Sequence, residues 1–461
     1  MKTILHLGLG SFHRAHQAVY LHRLIEQGER DWSLAGGNLR PDMAETVAAL
    51  IAQHGEYTLE TVSPAGERHY ERIRSIRRIV PFTPDLAGLV AIGAEPSTRI
   101  VSFTVTEAGY YLDDRNRLDD SHADLRADLA GARGTIYGAL AAILAARHTA
   151  GAGPVTLLNC DNLRGNGDRL HAGLLDFLDR RGEAELAAWV EANTSCPNAM
   201  VDRITPRPAP EVAERVLAAT GFADHAPVMA ERFIQWVIED RFAAGRPRWE
   251  DAGAEMVASV HAHEEAKIRI LNAPHSCIAW AGALHGLTYI HEGVAVPKIR
   301  RMAFDYVSND VIACLDTAAH PSPIDLAAYR DVVLDRFSNP YLMDTNQRVA
   351  MDGFSKIPGF IVPTLRECLA RGASIASTAM LPALFFACLG RWHRGTLSLR
   401  YDDAVMDPAV AHGFFAASDP LAAFVREPQL WGPLAGDERL LAALRRATTR
   451  VDAFIRSPLN E

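Results

Sequence analysis

Lys267, Asn272 and His275 bring one amine, one carboxamide and one imidazole into nine residues of an otherwise apolar stretch that includes Ile268, Ile270, Leu271, Ile278 and Trp280. An amine held among apolar neighbours loses hydration, which disfavours the ammonium and moves its pKa toward neutrality. Such a lysine can take a proton from an alcohol as a general base. A lysine can equally lay its stem on apolar surface and keep its amine in water, so the run needs support from elsewhere in the chain. Pro274 falls inside it and is expected to kink the helix or restart it near Asn272.

Three further segments are polar where a core should be apolar. Asn159-Cys160-Asp161-Asn162 ends an apolar strand, where open α/β sheets present groups to ligands. Asp202 and Arg203 sit in a proline-bounded apolar stretch, as a site pair or as a structural ion pair. Arg348 and Lys356 place two cations eight residues apart, as anchors for a polar substrate or as a solvated face. His261 and His263 have the H-x-H spacing of metal ligands, but strand alternation explains them without a metal.

A glycine turn supplies the second chemical signal. Gly8-Leu9-Gly10-Ser11-Phe12-His13-Arg14 follows the first predicted strand and opens a helix. Two glycines permit a tight turn and close approach of a pyrophosphate to helix amides. His13 stands where G-x-G-x-x-G has its third glycine, so the match is partial. An acid normally follows the second strand and binds the ribose hydroxyls. Here the strand runs into Gly37-Asn38-Leu39-Arg40-Pro41-Asp42, with Asp42 the nearest acid and Arg40 suited to a 2′-phosphate. The residues leave NAD and NADP both open.

The elements that must carry these groups fall into two halves. Thr3–Gly8, Trp32–Leu39, Tyr57–Val62, Arg99–Thr106, Pro154–Asn159 and Glu255–Val260 read as strands. They alternate with helical stretches at Ala15–Gln27, Met43–His54, Leu125–Arg147 and Gly167–Leu178. That alternation predicts α/β architecture, a Rossmann-type doubly wound sheet. Beyond about residue 262 the apolar period becomes helical, with segments near 267–290, 298–316, 324–335, 360–371, 377–392 and 437–456. The expected division is a dinucleotide-binding domain over 1–260 and a mostly α-helical substrate domain over 261–461. The Lys267 run then sits at the junction in sequence, where clefts are common.

Bulk properties narrow the partners. A formal charge of −9 over 461 residues gives no basic footprint for nucleic acid and no attraction to anionic membranes. No apolar run reaches the roughly 18 residues that span a bilayer. Gly8, Gly10 and the following His13, Arg14 and His16 argue against a secretory signal. The six cysteines form no C-x-x-C pair and read as reduced, buried thiols of a cytoplasmic protein.

Taken together these segments resemble the polyol-specific long-chain dehydrogenases, the mannitol dehydrogenase family. The family's K-x-x-x-x-N-x-x-H pattern matches Lys267, Asn272 and His275; V-D-R-I matches Val201 to Ile204; C-D-N matches Cys160 to Asn162. Its glycine turn with Phe and R-A-H matches Gly8 to His16, and R-F-x-N-P matches Arg336 to Pro340, with Arg348 and Lys356 downstream. The resemblance covers nearly the whole chain. It implies metal-independent hydride transfer between a polyol secondary alcohol and NAD, with D-arabinitol to D-xylulose foremost. The alternatives are mannitol oxidation, reduction of a sugar-derived keto acid, or, from another class, a non-catalytic nucleotide sensor. It also implies Lys267 as base, Asn162 and Asn272 as donors to the reacting oxygen, and His275 orienting a hydroxyl. Asp202, Arg348 and Lys356 would bind further hydroxyls. Glu264, one turn before Lys267, would relay the proton to water. Gly8, Leu9, Gly10, Phe12, Arg14, Asp42, Thr106 and Asn162 would contact NAD. A monomer is implied as well.

Overall fold

A computed structural model describes residues 1–105, 107–113 and 117–459. The chain divides into two compact units, Met1–His261 and Ala262–Glu461.

The strands of the first unit are β1 (Lys2–Leu7), β2 (Trp32–Gly37), β3 (Tyr57–Val62), β4 (Arg68–Ile73), β5 (Ile76–Ile79), β6 (Thr98–Phe103), β7 (Val155–Asn159), β8 (Thr194–Ser195), β9 (Ala199–Asp202), β10 (Val228–Glu231), β11 (Gln235–Glu239) and β12 (Glu255–Val257). Six of them form one parallel sheet in the order β5-β2-β1-β6-β7-β8. The order runs outward in both directions from β1, which is the doubly wound pattern. Alternation within the strands explains why the sheet is covered on both faces. Ile4, Ile100 and Leu158 enter one buried cluster, while Leu5, Leu7, Val101, Phe103, Val155 and Leu157 enter another. Both faces are apolar, so both must be covered.

Two smaller sheets were not foreseen. β10-β3-β4 joins Tyr57–Val62 to an antiparallel neighbour, and β12-β11-β9 takes in the strand expected at Glu255. The helix expected from Ala15 starts earlier, at Ser11, and breaks at His16 into Ser11–Ala15 and Gln17–Glu26. The single helix expected over Leu125–Arg147 is two, Ala123–Leu129 and Ile136–Thr149. Asp128 causes the break: its carboxylate accepts from the Gly134 and Thr135 amides and the Thr135 hydroxyl. These bonds replace a further helical turn.

The second unit is helical around one buried cluster. Its central helix, Ala273–Leu284, is almost wholly buried, and the Trp280 indole donates to the Ala350 carbonyl at 3.0 Å. The expected helices appear at Pro297–Asp305, Leu326–Arg336, Val362–Ala370, Met380–His393 and Glu438–Arg456. Additional helices at Pro408–Ala416 and Pro420–Val425 lay outside the sequence reading. Three π-helical turns interrupt the bundle, at Lys267–Asn272, Tyr306–Val311 and Ile357–Ile361. Among the described residues no helix is long and apolar enough to cross a membrane.

Candidate active site

Lys267 opens the first π-turn and is only 6 % exposed. Five residues separate Lys267 from Asn272, which in an α-helix of 3.6 residues per turn would set them about 140° apart. A π-turn, whose hydrogen bonds span i to i+5, brings i and i+5 onto one side. His275 follows three residues later, so amine, carboxamide and imidazole share one helix face. Pro274 does not break the helix. An α-helical Pro274 would leave the Ile270 carbonyl unbonded and strike it with its ring. The wider turn ends at Asn272 and a regular helix resumes at Ala273, with Pro274 in its first turn. Glu264 is buried one turn before Lys267, and neighbouring Glu265 pairs with Arg269, which also grips Glu367 at 2.7 and 2.9 Å. That triad fixes the helix on which the three groups stand.

His275 stacks on Phe337, ring centres 4.5 Å apart, and its Nε2 lies 3.0 Å from the Asp344 carboxylate. Burial lowers the imidazole's pKa, with Asp344 opposing. Burial also works against ionising Asp344, yet His275 and Arg348 hold its carboxyl down at about 2. The Arg348 guanidinium meets Asp344 through two bonds of 2.8 Å each. Lys356 donates to the Val349 carbonyl at 2.7 Å, and burial brings its amine down to about 8. Asn339 accepts from the Tyr341 amide and shapes the turn that leads to Asp344. Asn346 ties the Asn346–Val349 helix to the Leu287 carbonyl. His275, Arg348 and Lys356 are therefore brought into one electrostatic group, with Arg348 committed to Asp344 and exposed rather than reaching out alone. Asp344 and Phe337 were missed from sequence. Asp344 had one signal, its i to i+4 spacing before Arg348.

In the first unit the glycine turn joins β1 to Ser11–Ala15. Gly8 has φ +121°, open to glycine and costly to other residues. A side-chain carbon on Gly8 or Gly10 would meet no atom within 4 Å, so space lies open at both. The Gly8 amide donates to the Gly37 carbonyl and the Leu9 amide to Asn38 Oδ1 at 2.7 Å. Asn38 thus occupies the strand tip and holds the turn's shape. Asp42, expected there, lies exposed on the 3₁₀ turn Pro41–Met43. Arg40 is bonded to Asp124 at 2.9 Å and to the Tyr111 hydroxyl. His13 stacks on His6 of β1 at 3.5 Å, which explains why no third glycine is needed there. Burial takes His6 down to about 3 and His13 well below its usual value, so both rings are neutral. Phe12 stacks on His16 at 5.0 Å. Arg14 is buried, with its guanidinium spent on the Leu9 and Ala226 carbonyls. Through the Leu9 carbonyl it supports the turn.

Asn162 is exposed just beyond β7, and Thr106 lies outside the described residues. Asp161, in the polar segment read from the sequence but given no role of its own, accepts twice from the Val105 amide and once from the Tyr110 hydroxyl. It anchors the segment after β6 to the end of β7. Asp202 is buried at the end of β9. Arg203 forms bonds to the Ala15 and Glu231 carbonyls, so its guanidinium serves the framework. Among the described residues no group of three His, Cys, Asp or Glu is placed to hold a metal ion.

Comparison with known proteins follows this geometry closely. Residues 2–251 match the mannitol dehydrogenase Rossmann domain, and residues 259–452 match the mannitol dehydrogenase C-terminal domain. A D-arabinitol 4-dehydrogenase of Ralstonia nicotianae is 63% identical over 98% of this chain and 97% of its own. A second, from Klebsiella pneumoniae, is 54% identical over 98% and 99%. Among solved structures, Pseudomonas fluorescens mannitol 2-dehydrogenase, in a ternary complex with NAD and D-mannitol, aligns with a TM-score of 0.83 at 32% identity. That alignment covers 99% of this chain and 94% of the other.

Proposed function

The chain belongs to the mannitol dehydrogenase family, and on that premise we propose that it oxidises D-arabinitol to D-xylulose with NAD. The observation that carries the reading is the π-turn that sets a buried Lys267 beside Asn272 and His275 on one helix face. The glycine turn fits a dinucleotide: open space at Gly8 and Gly10, then first-turn amides that a helix leaves without internal partners. Leu9 and Phe12 flank it, and Asn38 holds it. NAD, when bound, accepts the hydride from the alcohol carbon.

The chain's own groups do the rest. Lys267 takes the hydroxyl proton as the carbon–hydrogen bond breaks. Asn272 donates to the oxygen, which gains negative charge on the way to a carbonyl. His275, held by Phe337 and Asp344, orients a neighbouring hydroxyl. Lys356 and Arg348 bind the rest of the polyol. Glu264 passes the proton from Lys267 toward water. A keto acid would call for an uncommitted cation to meet its carboxylate. Arg348 is already doubly bonded to Asp344, which leaves Lys356 as the cation such a carboxylate would meet, and comparing rates on polyols and keto acids distinguishes the two substrates. A nucleotide sensor would have no use for a buried amine in this setting. The protein acts as a monomer in the cytoplasm.

NAD and D-arabinitol mixed with the protein should generate NADH absorbance. Lys267→Ala should cut turnover roughly 10²- to 10⁴-fold, the span of a general base, while NAD still binds. Absence of NADH with every pentitol and hexitol would reject the activity. Full turnover of the variant would reject the base.

A further inference from the structure

Two cysteines far apart in sequence meet in the second unit. Cys314 Sγ and Cys368 Sγ lie 3.5 Å apart. Cys314, half-buried, is in the short helix Ile312–Leu315 that follows the π-turn Tyr306–Val311. Cys368 is in the helix Val362–Ala370, which follows the π-turn Ile357–Ile361. The Arg371 guanidinium reaches both sulfurs, 3.0 Å from Cys314 and 4.0 Å from Cys368. Burial alone pushes the Cys277 thiol, by contrast, up to about 12.

We propose that Cys314 and Cys368 form a reversible dithiol–disulfide site that reacts with peroxide. Arg371 favours one thiolate in the pair, and the remaining thiol donates to it; the bond from Cys314 holds Cys368 below the ordinary thiol value. The thiolate is the reactive form. It takes an oxygen from hydrogen peroxide as the O–O bond breaks, leaving a sulfenic acid and hydroxide. The neighbouring thiol then attacks that sulfur, forming the S–S bond and releasing water. Sulfur is oxidised and peroxide oxygen reduced, with no other reactant needed. Closing the bond asks the sulfurs to approach by about 1.5 Å, to the usual 2.05 Å. The covalent loop so closed contains Asp344, Arg348 and Lys356.

Peroxide treatment of the full-length protein at neutral pH, followed by non-reducing peptide mass spectrometry, tests this. The expected product is a peptide pair joined through Cys314 and Cys368, two hydrogens lighter, and separated again by dithiothreitol. In Cys314→Ser the sulfenic acid at Cys368 should accumulate and be trapped by a dione reagent. Independently of any variant, differential alkylation of the native protein should show these two thiols lost after peroxide and recovered after dithiothreitol. Alkylation of the pair unchanged by peroxide would overturn the proposal. So would oxidation of either cysteine alone to a sulfinic acid, or linkage to a different cysteine.

Discussion

Lys356 shows how a buried charge becomes a pH response. Its amine sits near 8, against the ordinary 10.5, because burial disfavours the ammonium. Below pH 8 it is charged, and the charge is lost as pH rises through that value. A charged donor binds a hydroxyl more strongly than a neutral one. The KM for polyol should therefore rise several-fold above pH 8, and Lys356→Arg, whose guanidinium stays charged, should flatten that rise. Initial rates across pH 6.5 to 10 would check this; equal inflections in both proteins would reject it. Lys267, Asn272 and His275 could be read together because the three stand within one short run. Asp344 was not, since its value depends on the fold bringing it against His275. The same holds for Cys314 and Cys368, which read singly as inert core thiols.

At the scale of elements, β1, β6 and β7 were legible because strands buried on both faces are continuous apolar, β-branched runs. Their ends shifted by at most three residues. The break at 130–135 was hidden because an Asp128 side chain, not the helical period, decides it. The π-turns were hidden because a search at 3.6 residues per turn assumes the geometry they depart from. The glycine turn gives a prediction of its own. Gly8 adopts φ +121° with open space around it, so alanine there costs strain and not collision. Gly8→Ala should lower stability by roughly 1–2 kcal/mol, read as a lower urea midpoint, and should weaken NAD binding in titration. An unchanged midpoint would show that the turn relaxes freely.

Among the described residues the large apolar side chains left exposed are Met1, Ile51, Leu217, Val332, Tyr341, Met343, Val405 and Val410. Obligate interfaces need broad apolar patches. The proposed monomer predicts a mass near 50.4 kDa at every loading concentration in sedimentation equilibrium; a mass that climbs with concentration would reject it. The two halves of the chain were separable on the page because strand alternation gives way to helical periodicity near residue 262. The small sheets β10-β3-β4 and β12-β11-β9 were not, because their strands are short and their partners distant in sequence.

The π-turn at Lys267–Asn272 also limits how this chain can vary over descent. Such a turn is a helix that has absorbed one residue too many. Wound as a plain α-helix at its present length, the stretch would leave Lys267 and His275 about 80° apart round the axis. A substitution that closed the wide turn would therefore rotate Lys267 off the shared face with every functional residue still present, whereas losing one codon would restore the ordinary register and keep the two groups within about 20°. Winding, as much as identity, is under constraint between Lys267 and His275.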